Sequence, residues 1–211
     1  MNPEQPLIIY GAGGHGRVVL DVALADEAAV TWVLDDSPES TSVYGIPLIR
    51  PDEFEWRPAS GPWNFLVAIG KNSKRADLYK QMCEWGGSPV NLIHPKAILT
   101  ERCCLDHGIV AMAGVVVNPG ARIGCNVVLN TSCSVDHDCI VADHAQLCPG
   151  VHLSGNVTVG ELTMVGTGAN VIPGVQIGAG CTIGAGAVVT RDIPDNSMAM
   201  GVPARVVSQI E

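Results

Sequence analysis

The sequence predicts two unlike domains in series: a small α/β domain with a parallel sheet, then a solenoid of short stacked strands. Three observations carry this expectation. All nine aromatic residues of the 211-residue chain fall before residue 99. Strand and helix patterns alternate in that aromatic stretch. Beyond it an apolar residue returns at every sixth position. One mixed core would not sort the aromatics this way, so the boundary is placed near Leu92–Leu99, with domains at 1–94 and 95–211.

Composition removes several function classes. Hydrophobic residues make up 47% and charged residues 16%, which is the balance of a folded chain. A net charge of −9 with 12 Lys and Arg argues against nucleic-acid binding and against an anionic membrane surface. No apolar run is long enough to span a bilayer. The opening MNPEQPLIIYGAGG has no basic region before its apolar stretch, so a signal peptide is not expected. The expected location is the cytoplasm, where the eight cysteines stay reduced. No Cys-x-x-Cys occurs, so neither a redox motif nor a zinc ribbon is indicated.

The first domain reads in order. Leu7–Tyr10 is a strand, and Gly11-Ala12-Gly13-Gly14-His15-Gly16 is a glycine-rich turn. Arg17–Ala25 has helical apolar spacing, and Val30–Leu34 is a strand ended by Asp35-Asp36. Phe65–Ile69 is a strand ended by Gly70, Ser73–Trp85 a helix, and Val90–Ile93 a further strand. Together these predict a small Rossmann-like parallel sheet.

Gly11, Gly13 and Gly16 have the spacing of a dinucleotide-binding turn, and Asp35 lies 24 residues after Gly11. Glycines let a backbone approach a pyrophosphate, and a helix N-terminus offers N–H groups and a positive dipole end. Such a site suits any nucleoside diphosphate. A full NAD site needs two mononucleotide halves, and this domain is short for both, so a nucleotide-linked sugar is the favoured ligand. His15 is read as a donor to phosphate or sugar, or as a turn histidine capping backbone. Asp35 and Asp36 are read as acceptors for base or ribose, or as a solvated strand end.

In the second domain every sixth residue from Leu99 to Val189 is apolar, and fifteen of these sixteen are Leu, Ile or Val. Four residues after each stands a small or β-branched residue. One apolar residue in six cannot fill a globular core but can fill the axis of a solenoid. The pattern resembles the left-handed parallel β-helix of the hexapeptide acyltransferases, in which three six-residue faces make an 18-residue coil. The resemblance covers Leu99–Ile193, about five coils. Cys103, Cys133, Cys139 and Cys181 occupy the small inward position and are expected in the core. Cys83, Cys104, Cys125 and Cys148 fall off that register and receive no functional reading. Three-sided prisms associate about a threefold axis, so a homotrimer is expected.

His137 is off the inward register and stands in Val135-Asp136-His137-Asp138-Cys139. A carboxylate beside an imidazole fixes its tautomer and raises its basicity, which suits a general base. A surface histidine among acids has the same local sequence.

The whole chain resembles the NeuD/PglD group of sugar acetyltransferases. The matching segments are IIYGAGGHGRVVLDVA, VLDD, FLVAIGKN, NLIHPKA, VLNTSCSVDHDC and MGVPARVV, in order along the full length. The resemblance implies an acetyl-CoA-dependent N-acetyltransferase that acts on the 4-amino group of a nucleotide-linked deoxy-amino sugar. It implies His137 as general base and Asp138 as the acid that tunes it, where relatives often carry Glu. It implies nucleotide-sugar contacts at Gly13, Gly14, His15, Asp35, Asp36 and Gly70, and acetyl-CoA contacts at Gln146, Thr167 and Ala185. Gln146 stands where the family has a second His. The resemblance also implies a homotrimer with active sites between subunits, no metal, and a role in bacterial glycan biosynthesis. Three other readings remain open: O-acetylation of a sialic acid, a non-catalytic nucleotide-sugar-binding trimer, and a zinc carbonic anhydrase using His137, His144 and His152. The His spacings of seven and eight residues weigh against the last.

Overall fold

The computed structural model describes residues 5–54 and 62–210; Trp56 lies outside them. The chain divides into two compact units, Met1–Pro95 and Lys96–Glu211.

The first unit is a six-stranded sheet with two helices. Its strands are β1 (Leu7–Tyr10), β2 (Val30–Leu34), β3 (Ser42–Val43), β4 (Ile46–Ile49), β5 (Asn64–Val67) and β6 (Ser88–Pro89), in the order β3-β4-β2-β1-β5-β6. All neighbours pair in parallel except β3 with β4. Helix α1 (Gly14–Ala25) follows β1, and helix α2 (Asn72–Glu84) follows β5. Ile8, Tyr10, Leu34, Phe54, Trp63, Phe65, Leu78 and Met82 form one buried cluster. Trp32 meets Phe54 edge-on at 5.5 Å, and Phe65 meets Tyr79 at 5.6 Å. A core this small is filled by few, large side chains, which is why the aromatics gather here.

The sequence expectation needs two corrections: the strand expected at Val90–Ile93 is not part of this sheet, whose last strand is Ser88–Pro89, and the sheet is not purely parallel. The β3–β4 hairpin has no conventional signal. Its turn residues Tyr44 and Gly45 have φ of +50° and +79°. A tight hairpin turn of this kind usually announces itself as Asn-Gly, and the tyrosine hides it.

The second unit is a parallel β-helix with three faces. The strand Gln146–Leu147 lies on face one, Ser134–Val135 on face two, and Ile140–Val141 on face three. Pairing partners are 18 residues apart, as in Val117 with Val135 and Val135 with Leu153. Each inward residue therefore stacks on its equivalent one coil away and reaches about 0–2% exposure from Ile109 onward along most of the axis. From Gly108 to Gly186 every sixth residue has φ between +55° and +79°. These left-handed residues are the corners where the chain turns from one face to the next. Eight are glycine and six are Asn126, Ser132, Asp138, His144, Asn156 and Leu162.

Cys133, Cys139 and Cys181 are buried on the axis as expected, with burial pushing the Cys133 thiol up to about 12. Cys103 is only half-buried. It belongs to the first coil, next to the edge strand Cys104–Leu105, so nothing stacks beneath it within this unit's sheet. The strands Ser197–Gly201 and Ala204–Gln209 form an antiparallel hairpin that continues face one. Among the described residues no helix is long and apolar enough to cross a membrane.

Candidate active site

In the first unit the glycine turn is fixed by close approach. The Gly11 N–H donates to the Leu34 carbonyl at 2.7 Å, with φ +119°. A Cβ on Gly16 would lie 2.6 Å from the Gly11 carbonyl carbon, so only glycine fits where α1 begins. Gly13 caps α1 without a side-chain contact, and no acidic residue stands in the first helical turn. No carboxylate of the helix itself therefore counters the N-terminal N–H groups of α1 and their dipole.

Asp35 and Asp36 have more structural work than the sequence suggests. The Asp35 carboxylate accepts the Ala12 N–H at 2.8 Å and the Ser37 N–H at 3.0 Å, clamping the glycine turn to the end of β2. Asp36 accepts the Tyr10 hydroxyl at 2.5 Å and has Lys74 Nζ at 3.7 Å. Burial, followed by the hydrogen bond to Asp36, raises the Tyr10 pKa, so its hydroxyl stays protonated. His15 is half-buried, and its Nε2 is buried without a partner. Burial, aided by the nearby Arg75 charge, pushes the imidazole down to about 4. His15 is thus neutral near pH 7 and acts as a hydrogen-bonding group rather than a cation.

A cleft of about 490 Å³ opens over this turn, lined among others by Gly13, Arg17, Asp35, Ser37 and Tyr44. Of the expected ligand contacts, Gly13 and Asp35 line it, while Gly14, His15, Asp36 and Gly70 lie outside its lining. Gly14 and Gly70 are exposed, with nothing within 4 Å of a would-be Cβ. Arg17 was not singled out from the sequence. Its signal was its place four residues after Gly13, one helical turn inside α1, which exposes a cation to an anion bound at the turn.

In the second unit His137 and Asp138 occupy the corner between faces two and three. Asp138 is the left-handed residue of that corner, φ +59°. Its Oδ2 lies 2.9 Å from His137 Nδ1. This contact assigns the proton to Nδ1 and leaves the lone pair on Nε2. The hydrogen bond to Asp138 is the main cause of a raised His137 pKa, with Asp136 adding charge. Both side chains are more than half exposed, so water screens the pair. Asp136 does not compete for the ring nitrogen. Its Oδ1 accepts the His137 backbone N–H at 2.7 Å and the Asn118 side-chain amide at 2.9 Å. Asn118, one coil below Asp136, is a supporting residue the sequence reading passed over.

Gln146, Thr167 and Ala185 lie elsewhere on the prism. Gln146 is buried on face one, its Nε2 3.8 Å from Cys148 Sγ and its Oε1 without a partner. Thr167 and Ala185 are exposed at the corner between faces one and two, in successive coils, where the Gly186 N–H donates to the Thr167 carbonyl at 2.8 Å. One chain does not place these three on the corner that carries His137. The other histidines are engaged separately. His144 Nδ1 is 2.9 Å from the Asn126 amide, and His152 Nδ1 is 2.8 Å from Ser134 Oγ. Among the described residues the one group of potential metal ligands that converges is Asp106, Cys125 and Asp143, within 4.8 Å of one another. It contains no histidine.

Residues 6–82 match the model of the PglD N-terminal domain, and residues 156–191 match the bacterial transferase hexapeptide model of six repeats. Among curated proteins the chain is 28% identical over 208 residues to the GDP-perosamine N-acetyltransferase of Escherichia coli O157:H7, covering 93% of this chain and 94% of that one. Among solved structures it resembles a variant of perosamine N-acetyltransferase from Caulobacter crescentus in complex with CoA and GDP-perosamine. That likeness has 38% identity, a TM-score of 0.92 and 97% coverage of both chains. It also resembles the acetyltransferase domain of PglB from Neisseria gonorrhoeae in complex with acetyl coenzyme A, with 34% identity, a TM-score of 0.88, and coverage of 97% and 100%.

Proposed function

The chain belongs to the NeuD/PglD-type family of sugar acetyltransferases, and on that premise we propose that it transfers the acetyl group of acetyl-CoA to the 4-amino group of a nucleotide-linked deoxy-amino sugar. The relatives' complexes with CoA, acetyl coenzyme A and GDP-perosamine support an acyltransferase that uses acetyl-CoA as co-substrate. The observation in this chain that carries the reading is the 2.9 Å contact between His137 Nδ1 and Asp138, which leaves Nε2 free to take a proton.

In this reading the amine nitrogen attacks the thioester carbonyl while His137 Nε2 removes its proton. Asp138 holds the ring and stabilises the imidazolium. The tetrahedral oxyanion collapses, the C–S bond breaks, and the imidazolium proton goes to the CoA thiolate. No acyl-enzyme forms. The cleft over the α1 N-terminus holds the diphosphate, with exposed Gly13 and Gly14 admitting it to the backbone and Arg17 supplying a positive charge. Gly14, His15, Asp36 and Gly70 contribute from around that turn.

Acetyl-CoA needs a slot of small residues where its pantetheine can lie along backbone. The corner Gly166-Thr167-Gly168 and Gly184-Ala185-Gly186 provides one. This slot and His137 are on different corners of one prism. Base and thioester must meet, so a second copy supplies the slot, and a closed threefold ring gives three equivalent sites. The same reading places the enzyme in the cytoplasm, where acetyl-CoA and sugar nucleotides are available.

The test is mass spectrometry of reactions with acetyl-CoA and a panel of UDP-, GDP- and dTDP-linked 4-amino sugars, with free sialic acid included. A gain of one acetyl on an amino sugar supports the proposal, and His137→Ala then loses about 10²–10⁴-fold in turnover. Acetylation of sialic acid alone overturns it in favour of O-acetyl transfer, and binding of both ligands without transfer overturns it in favour of a non-catalytic trimer.

A further inference from the structure

Catalytic side chains on a surface need something to hold their rotamers, because a more than half-exposed imidazole otherwise samples several. The β-helix places another residue directly over each corner residue, 18 positions on. Over His137 that residue is Gly155. The Asn156 N–H donates to the His137 carbonyl at 2.9 Å, so the two coils are bonded at this point. A Cβ built on Gly155 would overlap His137 Nε2 and would lie 2.5 Å from Cε1 and 3.0 Å from Cδ2. The ring therefore occupies the space in which a side chain at 155 would begin.

Gly155 differs from the corner glycines in one decisive respect. Its φ lies outside the left-handed region, so the backbone there accepts any L-residue. The equivalent places one coil below His137 and one coil above Gly155 are Pro119 and Pro173, which shows that this corner position carries side chains in neighbouring coils. What glycine provides at 155 is room alone.

We propose that Gly155 is a positioning residue for the acetyl transfer: by lacking a side chain it admits the His137 ring to the face of the coil and keeps its Nδ1 on the Asp138 carboxylate. The inference rests on the reading of His137 as the base. A methyl group at 155 expels the ring from this place. The ring sits on a rotatable side chain, so it yields before the backbone does, and the coil survives. Once swung away, the imidazole loses its hydrogen bond to Asp138, keeps only the weaker charge effect of Asp136 and Asp138 through water, and no longer aims Nε2 at the same point.

The experiment is histidine NMR titration combined with kinetics on Gly155→Ala, with His137→Ala identifying the resonance. The parent protein is expected to show His137 titrating above the ordinary value of about 6.5, and Gly155→Ala is expected to bring it back toward that value. Turnover is expected to fall about 10–100-fold, the scale for a displaced catalytic group, with KM for the nucleotide sugar unchanged. Adding Gly155→Ala to His137→Ala is expected to cause no further loss. An unchanged His137 titration in Gly155→Ala overturns the proposal. A shifted titration with full turnover leaves the ring positioning standing and instead overturns the role of His137 as base. Should Gly155→Ala misfold, the double variant decides: recovered folding once the ring is gone supports the shared space, and continued misfolding means that glycine is needed by the backbone, which overturns the proposal.

Discussion

Glycine serves opposite purposes in the two units. In the turn after β1 it is compulsory, since Gly11 and Gly16 stand where neighbouring backbone leaves no room for a Cβ. At the corners of the β-helix it is one choice among several, since six of fourteen left-handed corners carry Asn, Ser, Asp, His or Leu. A site that allows no side chain can recognise only through its backbone. A site that tolerates many can be given chemistry by substitution, and Asp138 is such a corner. The first unit accordingly offers N–H groups and a helix dipole to a phosphate, and the second offers an acid and a base to a reacting amine.

The sharpest way to break this contrast is Gly16→Ala. The added Cβ meets backbone at Gly11, which cannot rotate aside. We expect a loss of about 3 kcal/mol, at the upper end of overpacking effects, measured by thermal or urea unfolding, together with loss of nucleotide-sugar binding by calorimetry. A stability within about 0.5 kcal/mol of the parent would show that the turn is as permissive as the corners.

Asp138→Asn tests the functional corner without changing its shape. Both partners are more than half exposed and water screens the pair, so turnover is expected to fall only about 10-fold. The sign of the pH effect follows from the raised His137 pKa, whose largest cause is the bond to Asp138. The base works when neutral, so activity falls as pH drops through that raised value. Removing the carboxylate lowers it, and the acidic limb of the kcat/KM profile is expected to move to lower pH. A limb that stays in place, measured across pH 5–9, would assign it to another group.

The smallest effect is expected at Ser132, an exposed corner with φ +56°. Ser132→Gly relieves about 1 kcal/mol of left-handed strain and loses a similar amount through the freer unfolded chain. Stability within about 1 kcal/mol of the parent and unchanged turnover are the outcomes that uphold the contrast with Gly16.

The repeat was plain in the sequence because a solenoid imposes the same demand on every coil, and sixteen positions in phase repeat one message. The strands Leu7–Tyr10 and Val30–Leu34 were equally legible, since each is an apolar run closed by Gly or Asp. The hairpin at Tyr44-Gly45 was not, because its turn chemistry is carried by an unusual residue. The His137–Asp138 pair could be named from adjacency. The separation of this pair from Gln146, Thr167 and Ala185 could not be read as a distance along the chain. It emerges only when residues are assigned to corners, where nine positions of sequence span half a coil. Arg17 and Gly155 escaped notice for a similar reason: one acts through a helical turn and the other through a neighbour 18 residues away.

The 18-residue stacking of the β-helix has a consequence for how its chemistry is addressed. Successive coils are separated by the strand spacing of about 4.8 Å, and equivalent corners differ in side chain far more than in backbone. The prism is in effect a graduated ruler, on which a functional triplet such as Asp136-His137-Asp138 is a mark at one graduation. Moving that mark by one 18-residue coil would slide it along the axis by one fixed step while keeping its local geometry. The reach between a bound donor and a bound acceptor can thus be set in whole coils, independently of how either is recognised.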